Sequence, residues 1–158
     1  MANTQYWLFK SESSDYSIDN LQSDGRTHWD GVRNHQVRNY MRDNMRVGDR
    51  VLFYHSNSNP IGVAGLARIC RTAYPDHTAL DPTNPHFDAR STKADPIWLM
   101  VDIEFEAKFR EIVTLDRLRA TKDLDGLLVL KRGQRLSIMP VEQRHFARIE
   151  KLGMSPAK

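Results

Sequence analysis

The sequence predicts an α+β fold built on a mostly antiparallel, strongly curved sheet. Three observations point there. Apolar and aromatic runs recur between short helical patterns, without the regular strand–helix alternation of a parallel α/β fold. The segment from Ile97 to Phe109 alternates: Val101, Ile103, Phe105 and Ala107 fall on one side, Asp102, Glu104, Glu106 and Lys108 on the other. That is the pattern of a strand with one wet face. The run from Ile61 to Ile69 carries Gly62 and Gly65, which suit a bulge or a close approach of backbones.

Each element follows from local pattern. Tyr6-Trp7-Leu8-Phe9 is short and aromatic, so it reads as a strand. Ser17 to Leu21 reads as a short helical turn, and Trp29 sits in the polar, turn-like stretch Thr27 to Gly31. Asn34 to Met45 is the first clear helix: Asn34 can cap it, and Val37, Tyr40, Met41 and Met45 share a face. Val47 to Arg50 makes a turn before the buried strand Val51 to Tyr54, and His55 to Pro60 reads as a polar loop. Tyr74 to Asp95, with Pro75, Pro82 and Pro85, reads as a long surface loop of a length that is often functional. Thr114 can cap a helix through Leu115 and Leu118, and Asp123 to Leu130 offers a second short one. Arg135 to Met139 is a late strand. Pro140 then suits the first turn of a terminal helix with Val141, His145, Phe146 and Ile149 on its face, stopped by Gly153.

The 158 residues, 40% hydrophobic and 27% charged, suit one globular domain spanning residues 1–158. No apolar run is long enough to span a membrane, and Met1-Ala2-Asn3-Thr4 shows no basic, apolar leader. A single cysteine, Cys70, excludes an intramolecular disulfide framework and a cysteine-rich zinc site. A cytoplasmic chain, of a bacterial type rather than nuclear, without metal or membrane is the expectation. The net charge is only +3, but it is unevenly spread. Arg33, Arg38, Arg42, Arg46 and Arg50 crowd one segment, and Lys131, Arg132, Arg135, Arg144, Arg148 and Lys151 another. Sixteen arginines stand against seven lysines, and the planar guanidinium suits phosphates and stacks on bases. Solvated helix faces explain the same runs.

The six histidines, His28, His35, His55, His77, His86 and His145, show no helical zinc spacing. No Walker sequence or G-x-G-x-x-G is present, so no cofactor is expected. Tyr54-His55-Ser56 sets a base beside a hydroxyl, but strand neighbours point to opposite faces and no third group is visible. The aromatic set says more. Trp29 is either a core plug or one wall of a pocket. Lys10 and Ser11 follow one strand end, Tyr54, His55 and Ser56 another, and Trp98 starts a third. Aromatics and small polar groups at strand ends make a cage for a planar, hydrogen-bonding ligand, and a flipped nucleobase fits that description.

Phe9-Lys10-Ser11-Glu12, Trp29-Asp30-Gly31-Val32-Arg33-Asn34 and Val37-Arg38-Asn39 resemble the start of the EVE domain. Phe53-Tyr54-His55-Ser56, Ile61-Gly62-Val63-Ala64-Gly65, Tyr74-Pro75-Asp76, Pro96-Ile97-Trp98 and Arg135-Leu136-Ser137-Ile138 continue it in order. The resemblance covers Tyr6 to about Leu152. It departs from the family pattern at Ser13, where proline is usual, and at Val37 and Phe146, where alanine and tryptophan are common.

The resemblance implies a PUA-like fold, a curved, barrel-like sheet with helices around it, similar to the YTH domain. It implies a reader of a modified base, above all modified cytosine, in DNA or RNA, with no catalytic residues. Trp29, Tyr54 and Trp98 would wall the pocket; Lys10, Ser11, Asn34, His55 and Ser56 would give polar contacts. Arg33, Arg38 and Arg135 would meet the backbone or base edge, and Phe9, Val32, Asn39 and Ser137 complete the implied ligand-binding set. Two alternatives use the same pocket. One is a PUA-like hydrolase or RNA-processing enzyme with Lys10, Glu12, Tyr54 or His55 as acid–base groups. The other is a small-molecule sensor.

Overall fold

Six strands form one sheet in the order β2-β5-β4-β3-β1-β6 in the computed structural model, which describes residues 4–155. Met1-Ala2-Asn3, part of the stretch from which the absence of a leader was read, lie outside the described residues. Strand β1 (Tyr6–Glu12) runs parallel to β3 (Arg50–Ser56), and every other pairing is antiparallel. The sheet is therefore mixed and mostly antiparallel, as expected. Its end strands β2 and β6 do not meet, so it curls without closing into a barrel.

The two parallel strands are buried on both faces, which explains their unbroken apolar runs. Trp7, Phe9, Val51 and Phe53 pack into one core beneath α1 (Ile18–Asp24) and α2 (His35–Asp43). Leu8, Leu52 and Tyr54 pack into the other with α3 (Leu115–Ala120) and α4 (Gln143–Met154). This alternation at a period of two decides which side chains can reach a site. The helices begin where capping chemistry puts them: Ser17 and Asn20 form a reciprocal capping box, Asn34 accepts from the Val37 N–H, and Thr114 from Arg117. Strands β4 (Gly62–Pro75) and β5 (Leu99–Thr114) shift register repeatedly, which bends the sheet. Gly65 sits at one shift, where a Cβ would run into the Ala107 carbonyl and the Ile18 side chain.

Several expectations change. Trp29 ends a strand, β2 (Arg26–Trp29), pairing with Val101; a four-residue edge strand with no apolar alternation looks like a turn in sequence. Pro140 lies in β6 (Ile138–Val141) opposite Trp7, and an edge strand tolerates the missing donor. Val141 belongs to that strand too, and α4 begins only at Gln143. Gly153 lies within α4, where a Cβ would strike the Phe109 ring, so its role is close packing. Residues 122–130 hold two 3-10 turns, Lys122–Leu124 and Leu128–Leu130. The expected surface loop starts only after Pro75 and folds back on the body: Asp76, Thr78, Ala79 and Ser91 are buried. His55 and Ser56 end β3, and His55 is buried.

Candidate functional site

A cavity of about 600 Å³ opens where the ends of β1, β2 and β3 meet the segment before β6. Its wall includes Lys10, Ser11, Glu12, Asp15, Tyr16, His28, Trp29, Asp30, Gly31, Val32, Ser56, His86, Arg135 and Ser137. The volume lies in the ordinary range for a small-molecule or nucleotide pocket.

Trp29 is the organising aromatic. Phe9 and Phe53 meet it from below with ring centroids at 5.3 and 5.7 Å, the second at 90°. Such edge-to-face contacts fix the indole plane. Trp29 remains half-buried and lines the cavity, so it is both a plug on the core and a wall. Tyr16 lines the same space and packs on Phe53 at 6.5 Å. Burial, then the Asp24 carboxylate that accepts its hydroxyl at 2.8 Å, pushes its pKa up to about 12. It therefore stays a neutral phenol at physiological pH.

Polar groups converge from the strand ends. The Lys10 backbone N–H donates to the Ser137 carbonyl at 2.8 Å, which brings Arg135 and Ser137 to the cavity. Ser11 Oγ donates to the Tyr16 carbonyl at 2.8 Å, holding the chain between β1 and α1. Lys10 is half-buried, and burial lowers its pKa from the ordinary lysine value. Neither Lys10 nor Arg135 has an ion-pair partner among the described residues.

Asp76 anchors the rim. One carboxylate oxygen accepts the Gly31 N–H at 2.8 Å and Arg33 Nη1 at 3.0 Å; the other accepts Thr78 N–H at 2.8 Å and its hydroxyl at 2.5 Å. Burial is the largest single influence and pushes this carboxyl's pKa up. The bonds from Thr78, Gly31 and Arg33 together outweigh it and hold the group below its usual range. Gly31 has φ +80°, and a Cβ there would come within 2.8 Å of the His86 ring. Glycine thus serves both the turn and the seating of His86 against the cavity.

The remaining expected residues sit elsewhere. Phe9 is fully buried behind Trp29. Tyr54 points into the opposite core, because it shares the face of Leu52. His55 is buried, and its Nε2 accepts the Ile18 N–H at 3.1 Å. It is occupied in holding α1. Asn34 is the α2 cap. Asn39 accepts from Arg38, whose Nη1 donates to the Ile97 carbonyl at 3.2 Å. Arg33 gives its donors to Asp76, Thr78, the Val32 carbonyl and the His86 carbonyl. Trp98 is 2% exposed and donates its Nε1–H to Asp88 at 2.8 Å.

Tyr16, His28, Asp30 and His86 line the cavity too, beyond the binding set that the resemblance implies, and Asp76 braces its rim. The Asp30-Gly31 turn was a readable signal for a tight rim. His86 had none, since it arrives by the folding back of a loop. The cluster as a whole presents the Trp29 indole to the cavity and sets donors and acceptors around it. No helix among the described residues is long and apolar enough to cross a membrane.

Comparison with known proteins places this geometry. The family model of the EVE domain matches residues 5–152. Human thymocyte nuclear protein 1 is 40% identical over 161 residues, covering 90% of this chain and 71% of that protein. A structure of a Leishmania major protein superposes with a TM-score of 0.90 at 45% identity, covering 96% of this chain and 95% of that one. The crystal structure of human THYN1 in complex with DNA containing 5-methylcytosine superposes with a TM-score of 0.89 at 36% identity, covering 98% of this chain and all of that one. Family match, sequence identity and superposed fold agree over nearly every described residue, and the chain belongs to the EVE domain family.

Proposed function

We propose that this chain is a non-enzymatic reader that binds DNA carrying a modified cytosine, with 5-methylcytosine the leading ligand. The observation that carries the reading is the Trp29 indole, held edge-on by Phe9 and Phe53 at the wall of a polar-lined, nucleotide-sized cavity. The likeness to human THYN1, crystallised with 5-methylcytosine DNA, supports the ligand class. On this reading the extruded base stacks on Trp29, with Tyr16 beside it. Lys10, Ser11, Ser56, Ser137 and Asp30 offer donors and acceptors to its edge, and Arg135 meets phosphate at the mouth. Arg33 and Arg38 serve the scaffold, because their donors are spent inside the protein. The polar lining also fits a base better than an apolar small molecule.

The test is fluorescence anisotropy with DNA and RNA oligonucleotides containing cytosine or 5-methylcytosine, at two salt concentrations. The wild type is expected to prefer methylated DNA. Trp29→Ala removes a stacking partner worth about 1–3 kcal/mol and is expected to abolish the preference. Equal loss for methylated and plain ligand in that variant, or no preference in any set, overturns the reading. An acid–base reading draws support from Lys10, whose lowered pKa suits proton transfer. Release of a modified fragment from any bound oligonucleotide, lost in Lys10→Met, decides in its favour.

A further inference from the structure

Beside the cavity lies a second, shallower groove of about 360 Å³ that includes Arg33, Pro85, His86, Phe87, Arg90 and Trp98. His86 lines both spaces and is the residue they share. Among the described residues the large apolar side chains left at the surface are Val47, Ile61, Phe87 and Met154. Phe87 is the aromatic one, 40% exposed, and it stands next to the shared His86.

Its position is rigidly set. The His86 N–H donates to Asn84 Oδ1 at 2.8 Å, and the Phe87 N–H to the Asn84 carbonyl at 3.0 Å. The His86 carbonyl accepts Arg33 Nε at 3.0 Å and Nη2 at 2.5 Å. The next N–H, of Asp88, donates to the Ala79 carbonyl at 3.0 Å. A solvent-facing ring on a turn braced on both sides is preorganised, which lowers the entropy lost on contact.

We propose that Phe87 stacks on the nucleotide next to the base held in the cavity, so that the site reads a two-nucleotide step. This rests on the base-reading function proposed above. A base drawn from its stack leaves a neighbour with one uncovered face. Drawing one base out of its stack breaks the regular spacing of about 3.4 Å, so that base and its neighbour stand more than one ring thickness apart. His86, which cavity and groove share, stands between the two positions. Aromatic side chains commonly cover such faces, because every base offers a π surface. The groove's cations are neutralised within the protein: Arg33 pairs with Asp76 and Arg90 with Asp88, each at 3.0 Å. The contribution of Phe87 should therefore be stacking and nearly independent of salt.

The test compares wild type, Phe87→Ala and Phe87→Tyr in binding 5-methyldeoxycytidine monophosphate and a single-stranded trinucleotide centred on the same base, at two salt concentrations. Phe87→Ala is expected to weaken trinucleotide binding by about 5- to 150-fold, the factor that corresponds to one base–aromatic stack. The mononucleotide should be unaffected, the loss should be equal at both salts, and Phe87→Tyr should restore the trinucleotide affinity. Unchanged trinucleotide binding in Phe87→Ala overturns this proposal alone, and so does equal loss for both ligands. Failure of the wild type to bind either ligand overturns the base-reading function together with it.

Discussion

Replacing Asp76 by asparagine tests how the cavity rim is held. The substitution keeps shape but removes charge. All four groups around the carboxylate are donors: the Gly31 and Thr78 N–H groups, the Thr78 hydroxyl and Arg33 Nη1. Whichever oxygen becomes NH₂, a donor then faces two donors. Arg33, whose side chain is 23% exposed, also loses its counter-ion. Removing one partner of a buried pair costs about 3–5 kcal/mol. At roughly 2–4 °C per kcal/mol for a chain of this size, Tm should fall by about 6–20 °C.

The pH dependence gives a second readout for the same variant. The Asp76 pKa is lower in the folded protein than in the unfolded chain, so its contribution is fully present above the ordinary carboxylate value of about 3.9. That contribution is lost as pH falls through the lowered folded value. Urea unfolding should show a constant gap between wild type and Asp76→Asn from pH 7 to 5, and a narrowing gap below about pH 4. A Tm within about 2 °C of wild type at pH 7 would show that the rim does not depend on this carboxylate.

Two further outcomes follow from the same geometry. Arg135→Ala should weaken binding of methylated and plain oligonucleotides alike and reduce the slope of log affinity against log salt by about 0.9 for duplex DNA; an unchanged slope places Arg135 away from phosphate. Burial holds the His55 pKa below its ordinary value, with Asp19 opposing and Lys108 assisting. The unfolded chain therefore takes up the proton first, and stability should fall as pH drops from about 6.5 through the lowered folded value. His55→Gln should flatten this trend in urea unfolding, and an imidazole titrating above 6.5 by NMR contradicts it.

Much of the architecture was legible because local chemistry agreed with it. The alternation in β5, the Asn34 and Thr114 caps and the glycine-bearing β4 each state their structure within a few residues. The elements that were misread are set by distant partners. β2 is a strand because β5 offers it an edge, and Pro140 joins β6 because β1 pairs with it on one side. Gly153 is helical because Phe109 occupies the space of its side chain. The site divides the same way. Lys10, Ser11, Trp29, Val32, Ser56, Arg135 and Ser137 reach the cavity wall from segments whose ends converge there. Tyr54 was placed beside them by proximity in the chain, but the two-residue period of β3 sends it to the far core. Asp76 and His86 belong to a stretch whose prolines signal a loop, while its folding back depends on the arginine at position 33.

The use of charge changes what the arginine-rich segments mean. Arg33, Arg42 and Arg50 pair with Asp76, Asp43, and Glu106 and Glu150, respectively, while Arg144 and Arg148 pair with Glu142 and Asp123. The largely covered guanidiniums of Arg33 and Arg50 add little to phosphate affinity, since binding must first displace their partners, whereas the exposed pairs of Arg42, Arg144 and Arg148 cost only about 0–1 kcal/mol to break. Among the described residues, Lys10 and Arg135 are left at the cavity without such partners. Two cations would release few counter-ions, so on the proposed reading the salt slope is shallow and most affinity comes from enclosed contacts. Lys10 matters more than its single charge suggests: half-buried, it interacts through a lower effective dielectric than a surface lysine. Binding that relies on one stacked base and one half-buried cation discriminates between bases, whereas a row of free arginines would grip any nucleic acid. Arg33 and Arg50 brace the rim and the sheet, and on the proposed reading selectivity falls to Trp29 and the groups around it.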